Sequence, residues 1–131
     1  MAKYTKNYAW PHYHVELVRV KDGDTSVFMI DGGFGGYQKV SIRILGIDTP
    51  EHKSYSGYTV TEAEKQHARE ATEHAEWLLS SHPIRLWSYK GKTFDRWLGR
   101  VEVWFDGQWR NYADIMRLAG FEKREDYPED G

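Results

Sequence analysis

Tyr13 to Ile30, YHVELVRVKDGDTSVFMI, decides how the chain is read. YHVELVRV alternates apolar and polar residues, as a strand with one buried face does. Lys21-Asp22-Gly23-Asp24 is turn chemistry, and its Asp-Gly pair suits a tight hairpin. Thr25–Ile30, TSVFMI, returns as a second strand. The glycine-rich DGGFGG then leads to Gln38–Leu45, QKVSIRIL, a third strand. This run opens no helix and lacks a following Gly-Lys-Ser/Thr, so it is a hairpin or bulge rather than a phosphate cradle. Three strands joined by short turns make an antiparallel meander.

Thr61–Ser80, TEAEKQHAREATEHAEWLLS, is the clearest helix. Ala63, His67, Ala71, His74, Ala75 and Leu78 recur at three- and four-residue steps and form its expected apolar face. Thr61 is an N-cap with Glu64 three residues on, the capping-box spacing. Ser81-His82-Pro83 ends it. Ile84–Tyr89 and Leu98–Phe105 read as two more strands, Asp106-Gly107 as a turn, and Asn111–Ala119 as a short second helix closed near Gly120. The order β-β-β-α-β-β-α predicts an α+β, mainly β fold: a five-stranded OB-fold Greek-key barrel with a long helix after the third strand and a short C-terminal helix. Residues 1–11 read as a flexible N-terminal tail, 12–121 as the domain and 122–131 as an acidic, solvated C-terminal tail.

The bulk numbers agree with one soluble domain: 131 residues, 40% hydrophobic and 29% charged. The absence of cysteine excludes disulfides and thiolate metal sites. The first twenty residues lack the apolar core of a signal peptide, and no stretch is long enough to span a membrane, so the chain as given is expected to be intracellular, with secretion through a signal outside this sequence the alternative; a monomer is expected. A net charge of −2 argues against holding nucleic acid by charge alone. It does not exclude a nuclease, whose acidic metal ligands offset the cations around them.

Three segments carry chemistry. In Arg43-Ile44-Leu45-Gly46-Ile47-Asp48-Thr49-Pro50-Glu51, a strand bearing one arginine ends in two carboxylates with a proline between them. Thr49 precedes that proline and is biased toward extended backbone, a bend that aims Asp48 and Glu51 differently. With Asp22-Gly23-Asp24-Thr25 upstream, Asp24 and Asp48 offer two carboxylates and the Thr49 carbonyl a third oxygen, donors suited to calcium. Glu51 stays free to polarise a water, and Arg43 is one cation for phosphate oxygens. The third segment, Lys90 to Val101 (KGKTFDRWLGRV), reads either as a solvated hairpin tip or as a nucleic-acid rim, with Lys92 on phosphate and Phe94 or Trp97 against a base. His67 and His74, seven apart, lack the four-residue spacing of a helical zinc pair. His52 beside Glu51 is an ordinary loop histidine by this reading.

The segments DGDT, RILGIDTPE and KTFDRWLGRVEV, in this order, resemble the staphylococcal (micrococcal) nuclease family over roughly residues 13–121. The resemblance implies an OB barrel and calcium-dependent hydrolysis of DNA and RNA, leaving 3′-phosphate ends. It carries Asp24 and Asp48 over as calcium ligands beside the Thr49 carbonyl, Glu51 as general base and Arg43 as a phosphate clamp. The family's second arginine falls on Arg96, with Arg100 as the alternative register. Asp95 stands where the family usually has glycine. Tyr127 is carried over as a residue near the substrate. The alternative to catalysis is an OB-fold module that binds single-stranded nucleic acid without cutting it.

Overall fold

The computed structural model describes residues 9–12, 14–93 and 96–130. Its strands are β1 (Ala9–His12), β2 (His14–Asp22), β3 (Thr25–Gly33), β4 (Gly36–Ile44), β5 (Ile84–Thr93), β6 (Arg96–Phe105) and β7 (Gln108–Asn111). Helix α1 (Glu62–Ser81) lies between β4 and β5, and α2 (Tyr112–Leu118) follows β7. The fold is α+β, a mixed sheet with two helices.

The five expected strands are all present, and two more accompany them. β1 lies mostly within the residues expected to be a tail, and it pairs antiparallel with β5 from Ala9↔Tyr89 to His12↔Leu86. β7 follows the Asp106-Gly107 turn, where both residues have positive φ (52° and 81°). That is the pairing of angles that matches strand twist in a two-residue hairpin, so the chain folds straight back on β6. At four residues, β7 is too short to show a period in sequence.

Hydrogen bonding follows the order β1-β5-β6-β4-β3-β2, with β7 added to β6. Among the described residues all pairings are antiparallel except β4–β6, which runs parallel through Ile42↔Trp97, Arg43↔Leu98 and Ile44↔Gly99. The two end strands, β1 and β2, are separated in sequence by one residue. β2 and β5 approach one another, but no hydrogen-bonded ladder among the described residues joins them, so the sheet is not closed.

Alternation sorts the side chains. Phe28 and Ile30 of β3, Ile42 and Ile44 of β4, Leu86 of β5, and Val101 and Val103 of β6 share one buried core. Each contributes about 1.5–3 kcal/mol by leaving water. Gly99 lets β6 approach closely, because a Cβ there would stand 2.9 Å from Ile42 Cγ2 and 3.3 Å from the Trp87 carbonyl oxygen.

Helix α1 starts as expected, with Thr61 Oγ1 accepting from the Glu64 amide at 3.2 Å. Its buried face is Glu64, Ala68, Ala71, Ala75, Leu78 and Leu79. Ala63, His67 and His74 of the expected face sit at its margin, half-buried. Alanine and histidine mark the face poorly, since neither announces burial as Leu does.

The C-terminal segment is also tied down. Lys123 N donates to the Asp48 carbonyl at 2.8 Å, Tyr127 hydroxyl and His67 Nδ1 lie 2.8 Å apart, and Glu62 N donates to Asp130 Oδ1 at 2.7 Å. The carboxylate of Asp130 thus sits at the positive end of α1. Residues 122–130 therefore run back along α1 and are not a free tail. No helix among the described residues is long and apolar enough to cross a membrane.

Candidate functional site

The hairpin turn between β2 and β3 is built around Asp24. Asp24 Oδ2 accepts from the Thr49 amide at 3.0 Å and Oδ1 from the Thr25 hydroxyl at 3.1 Å, while its own amide donates to Asp22 Oδ1 at 3.1 Å. Gly23 is demanded by close approach: a Cβ there would lie 2.7–2.9 Å from the Thr49 side chain. From the far side, the buried hydroxyl of Tyr112, at the start of α2, donates to the Gly23 carbonyl at 2.5 Å. The Asp-Gly-Asp turn is therefore clamped between α2 and the loop after β4.

That loop begins where β4 ends. Ile44 N donates to the Asp24 carbonyl at 2.7 Å and Leu45 N to the Gly99 carbonyl at 2.8 Å, joining β3, β4 and β6 at one edge. Gly46, at φ 101°, then reverses the chain. Arg43 Nη1 donates to the carbonyls of Ile44 and Ile47 at 2.5 and 2.9 Å. Its Nη2 lies 3.5 Å from Asp24 Oδ2 and 3.7 Å from Asp48 Oδ1. The two carboxylates therefore face one cationic nitrogen, although Asp24 is buried and the Asp48 side chain is 64% exposed.

Glu51 is positioned through its backbone. Its amide donates to Glu64 Oε2 at 2.8 Å, so the helix residue expected to complete a capping box instead holds this loop. Glu64 is 2% exposed. Its other oxygen accepts from the Tyr58 hydroxyl. Lys123 Nζ approaches Glu64 Oε2 at 4.0 Å and stands 3.9 Å above the centre of the Tyr58 ring. Tyr58 stacks on Tyr55 with ring centres 5.1 Å apart.

The two candidate arginines share the outward face of β6 by strand alternation but meet different partners. Arg96 Nη1 donates to Thr25 Oγ1 at 3.2 Å, and Thr25 in turn bonds to Asp24. Arg100 instead donates to Glu102 Oε2 at 2.5 Å and lies 5.3 Å from the Trp87 ring centre. The structure thus gathers Asp24, Arg43, Asp48, Thr49 and Arg96, with Glu51 adjoining, and leaves Arg100 in a separate cluster.

Of the expected rim residues, Trp97 is partly exposed on β6, whereas the Lys92 side chain and Phe94, like Asp95, lie outside the described residues. Tyr127 engages His67 and the Arg124 amide. It lines a cavity of about 370 Å³ between α1 and the C-terminal segment that contains none of the clustered residues. His52 is held by Thr72, with Nε2 2.7 Å from the hydroxyl.

The electrostatics separate the carboxyl groups. Asp22 is pushed up to about 7 by burial, then by its hydrogen bond to Asp24 and that neighbour's charge. Burial opposes ionisation of Asp24 too, but hydrogen bonds from Asp22, the Thr49 amide and Thr25, with the Arg43 charge, hold it below the usual carboxylate range. Asp22 is therefore the member of the pair that keeps a proton. Glu51 is raised, first by burial and then by Asp24, Asp48 and Glu64, against the opposing charge of Lys123.

The donors in the cluster are all oxygens, which excludes a soft metal and suits a hard one. Thr49 Oγ1 is buried there without a hydrogen-bond partner. Among the described residues, no group of three or more His, Asp or Glu side chains is arranged to hold a metal alone. A cation held here would rest on the Asp24 and Asp48 carboxylates and need backbone and water oxygens besides, a shell that calcium accepts.

Four supporting residues escaped the sequence reading: Asp22, Glu64, Tyr112 and Lys123. For Asp22 the signal was present, since it is the first carboxylate of Asp-Gly-Asp. The other three act across long sequence separations that no local pattern encodes. The chain matches no protein-family model and no curated protein.

Proposed function

We propose that this chain is a calcium-dependent endonuclease acting on DNA or RNA, on a five-stranded OB-type barrel of the staphylococcal nuclease kind. The observation that carries the proposal is the meeting of Asp24, Arg43, Asp48 and Arg96 at one end of β3, β4 and β6, with Glu51 on the adjoining loop. The strand order β2-β3-β4-β6-β5, with its single parallel pairing, supports the barrel. So does the near-continuity of β1 and β2, which ties the two ends of that order by one intervening residue.

Asp24 and Asp48, with the Thr49 carbonyl, would hold calcium, whose contribution when bound is to neutralise and polarise the phosphate. Glu51, fixed through its amide by Glu64 and raised by burial, takes the proton of the attacking water. Arg43 and Arg96 project from the same face of paired strands and hold the non-bridging oxygens as charge builds on phosphorus. As the water oxygen bonds to phosphorus the bond to the 5′ oxygen breaks, and that oxygen leaves as a 5′-hydroxyl with a proton taken from solvent, leaving a 3′-phosphate. Among the described residues the long helix exposes Glu62, Glu70, Glu73 and Glu76, an acidic face unsuited to a major groove, so cutting is expected with little sequence preference on unpaired or locally opened strands.

A binding-only module is favoured by one feature, the engagement of Arg43 by two carbonyls and both carboxylates. Plasmid nicking with calcium, with EDTA and with Glu51→Gln separates the readings. Calcium-dependent nicking lost in Glu51→Gln is expected. Nicking that survives the substitution removes the base assignment, and binding without cutting under any condition supports the module.

A further inference from the structure

The outward face of β6 does not end at Arg96. Alternate residues place Arg96, Leu98, Arg100, Glu102 and Trp104 on one side of the strand, opposite the core residues Val101 and Val103. Their cross-strand neighbours are Trp87 beside Arg100 and Arg85 beside Glu102 on β5, and Trp109 beside Trp104 on β7.

These side chains interleave. The Arg85 guanidinium lies between two indoles, 5.0 Å from the centre of Trp87 and 4.5 Å from that of Trp109. Arg100 stands over the same Trp87 at 5.3 Å. One carboxylate, Glu102, 6% exposed, fixes both cations, with Arg85 Nε at 2.7 Å and Arg100 Nη2 at 2.5 Å. Trp104 meets Trp109 edge to face at 5.6 Å and is 43% exposed. Two guanidiniums against one acid leave the cluster positive.

We infer that this face of β5, β6 and β7 is a track for single-stranded nucleic acid leading away from the Arg96 end of β6. Guanidiniums held over indoles keep N–H groups available to phosphates, and half-exposed indoles offer stacking surface to unpaired bases. A duplex hides its base faces and can use only the cations, so the ring–cation alternation selects a single strand. From Arg96 to Trp104 the strand runs roughly 26 Å at about 3.3 Å per residue, room for several nucleotides. The inference deepens the nuclease reading and rests on it for where the bound strand leads, but binding along the track needs no cleavage.

The test uses the full chain in EDTA and fluorescence anisotropy. Its probes are labelled oligothymidylates of about two and about ten nucleotides, the first shorter than the roughly 4–16 nucleotides an OB-type barrel covers and the second within that span. The longer probe is expected to bind much more tightly than the shorter. Trp104→Ala should weaken the longer probe by about 5- to 100-fold, and Arg85→Gln similarly, with the short probe unchanged in both. The slope of log affinity against log salt should fall by about 0.7 in Arg85→Gln and not in Trp104→Ala, and Arg85→Lys should restore it. Trp104→Ala carries the test alone if Arg85→Gln fails to fold.

The track is overturned if the long probe binds no tighter than the short one, or if Trp104→Ala binds it within about twofold of wild type. If calcium-dependent nicking persists in that case, the nuclease reading stands without the track. If Trp104-dependent binding is found and cutting is not, the track stands and the nuclease reading falls.

Discussion

Glu64→Ala should loosen the Glu51 loop at a large cost in stability. The side chain is 2% exposed, accepts from the Glu51 amide at 2.8 Å and from the Tyr58 hydroxyl, and lies 4.0 Å from Lys123 Nζ. Two hydrogen bonds to a buried carboxyl group are worth about 1–1.5 kcal/mol each, and the stranded Glu51 amide adds about 1 kcal/mol. Alanine returns only about 0.3 kcal/mol in helix propensity. The net loss is about 3 kcal/mol. For 131 residues the unfolding entropy is about 0.28 kcal/mol/K, so the Tm should drop by about 11 °C.

Glu64→Gln keeps one acceptor oxygen and should lose about half as much. Thermal unfolding by circular dichroism reads the first effect, and hydrogen exchange at the Glu51 amide reads the second. Protection at that amide should fall far more than at core amides of β3, and cutting by Glu64→Ala should slow even where the protein is fully folded. A Tm within about 3 °C of wild type, with Glu51 exchange unchanged, would refute the assignment of Glu64 as the anchor of this loop.

Three further outcomes are expected. Arg96→Ala should slow cutting by about 100-fold or more, as loss of a transition-state donor does, while Arg100→Ala should act mainly on long-strand binding and on stability through Glu102; a larger loss of cutting rate in Arg100→Ala would reverse the two roles. Gly23→Ala should cost about 1–3 kcal/mol, because the new Cβ meets the Thr49 side chain at under 3 Å, and urea unfolding measures it. His74 is held below its ordinary value by burial, and its ring packs on Trp77 and Phe121. The unfolded chain therefore takes up the proton more readily. The contribution of His74 is fully present above its unfolded value of 6.5 and is lost as pH falls toward the lowered folded one. His74→Gln should accordingly lose less stability than wild type between pH values of about 8 and 5, and equal losses would contradict the shift.

The local sequence was enough to determine the meander, the start of α1, the second helix and the placing of Asp24, Arg43, Asp48 and Glu51 beside turns. Period, capping and turn chemistry act within a few residues and are written in order along the chain. Alternation puts Arg96 and Arg100 on one face, because residues four apart on a strand face the same way. It favours Arg96 only because Leu98, Gly99, Val101 and Val103 then fall where the nuclease family places buried or small residues. The parallel register of β4 on β6 sets Arg96 against Thr25 and leaves Arg100 with Glu102. Likewise Glu64 looked like half of a capping box until the fold brought the Glu51 amide, thirteen residues earlier, onto its carboxyl group. Tyr112 reached Gly23 across 89 residues. Such pairings depend on which elements the core brings together, a property of the whole packing that no window of the sequence contains.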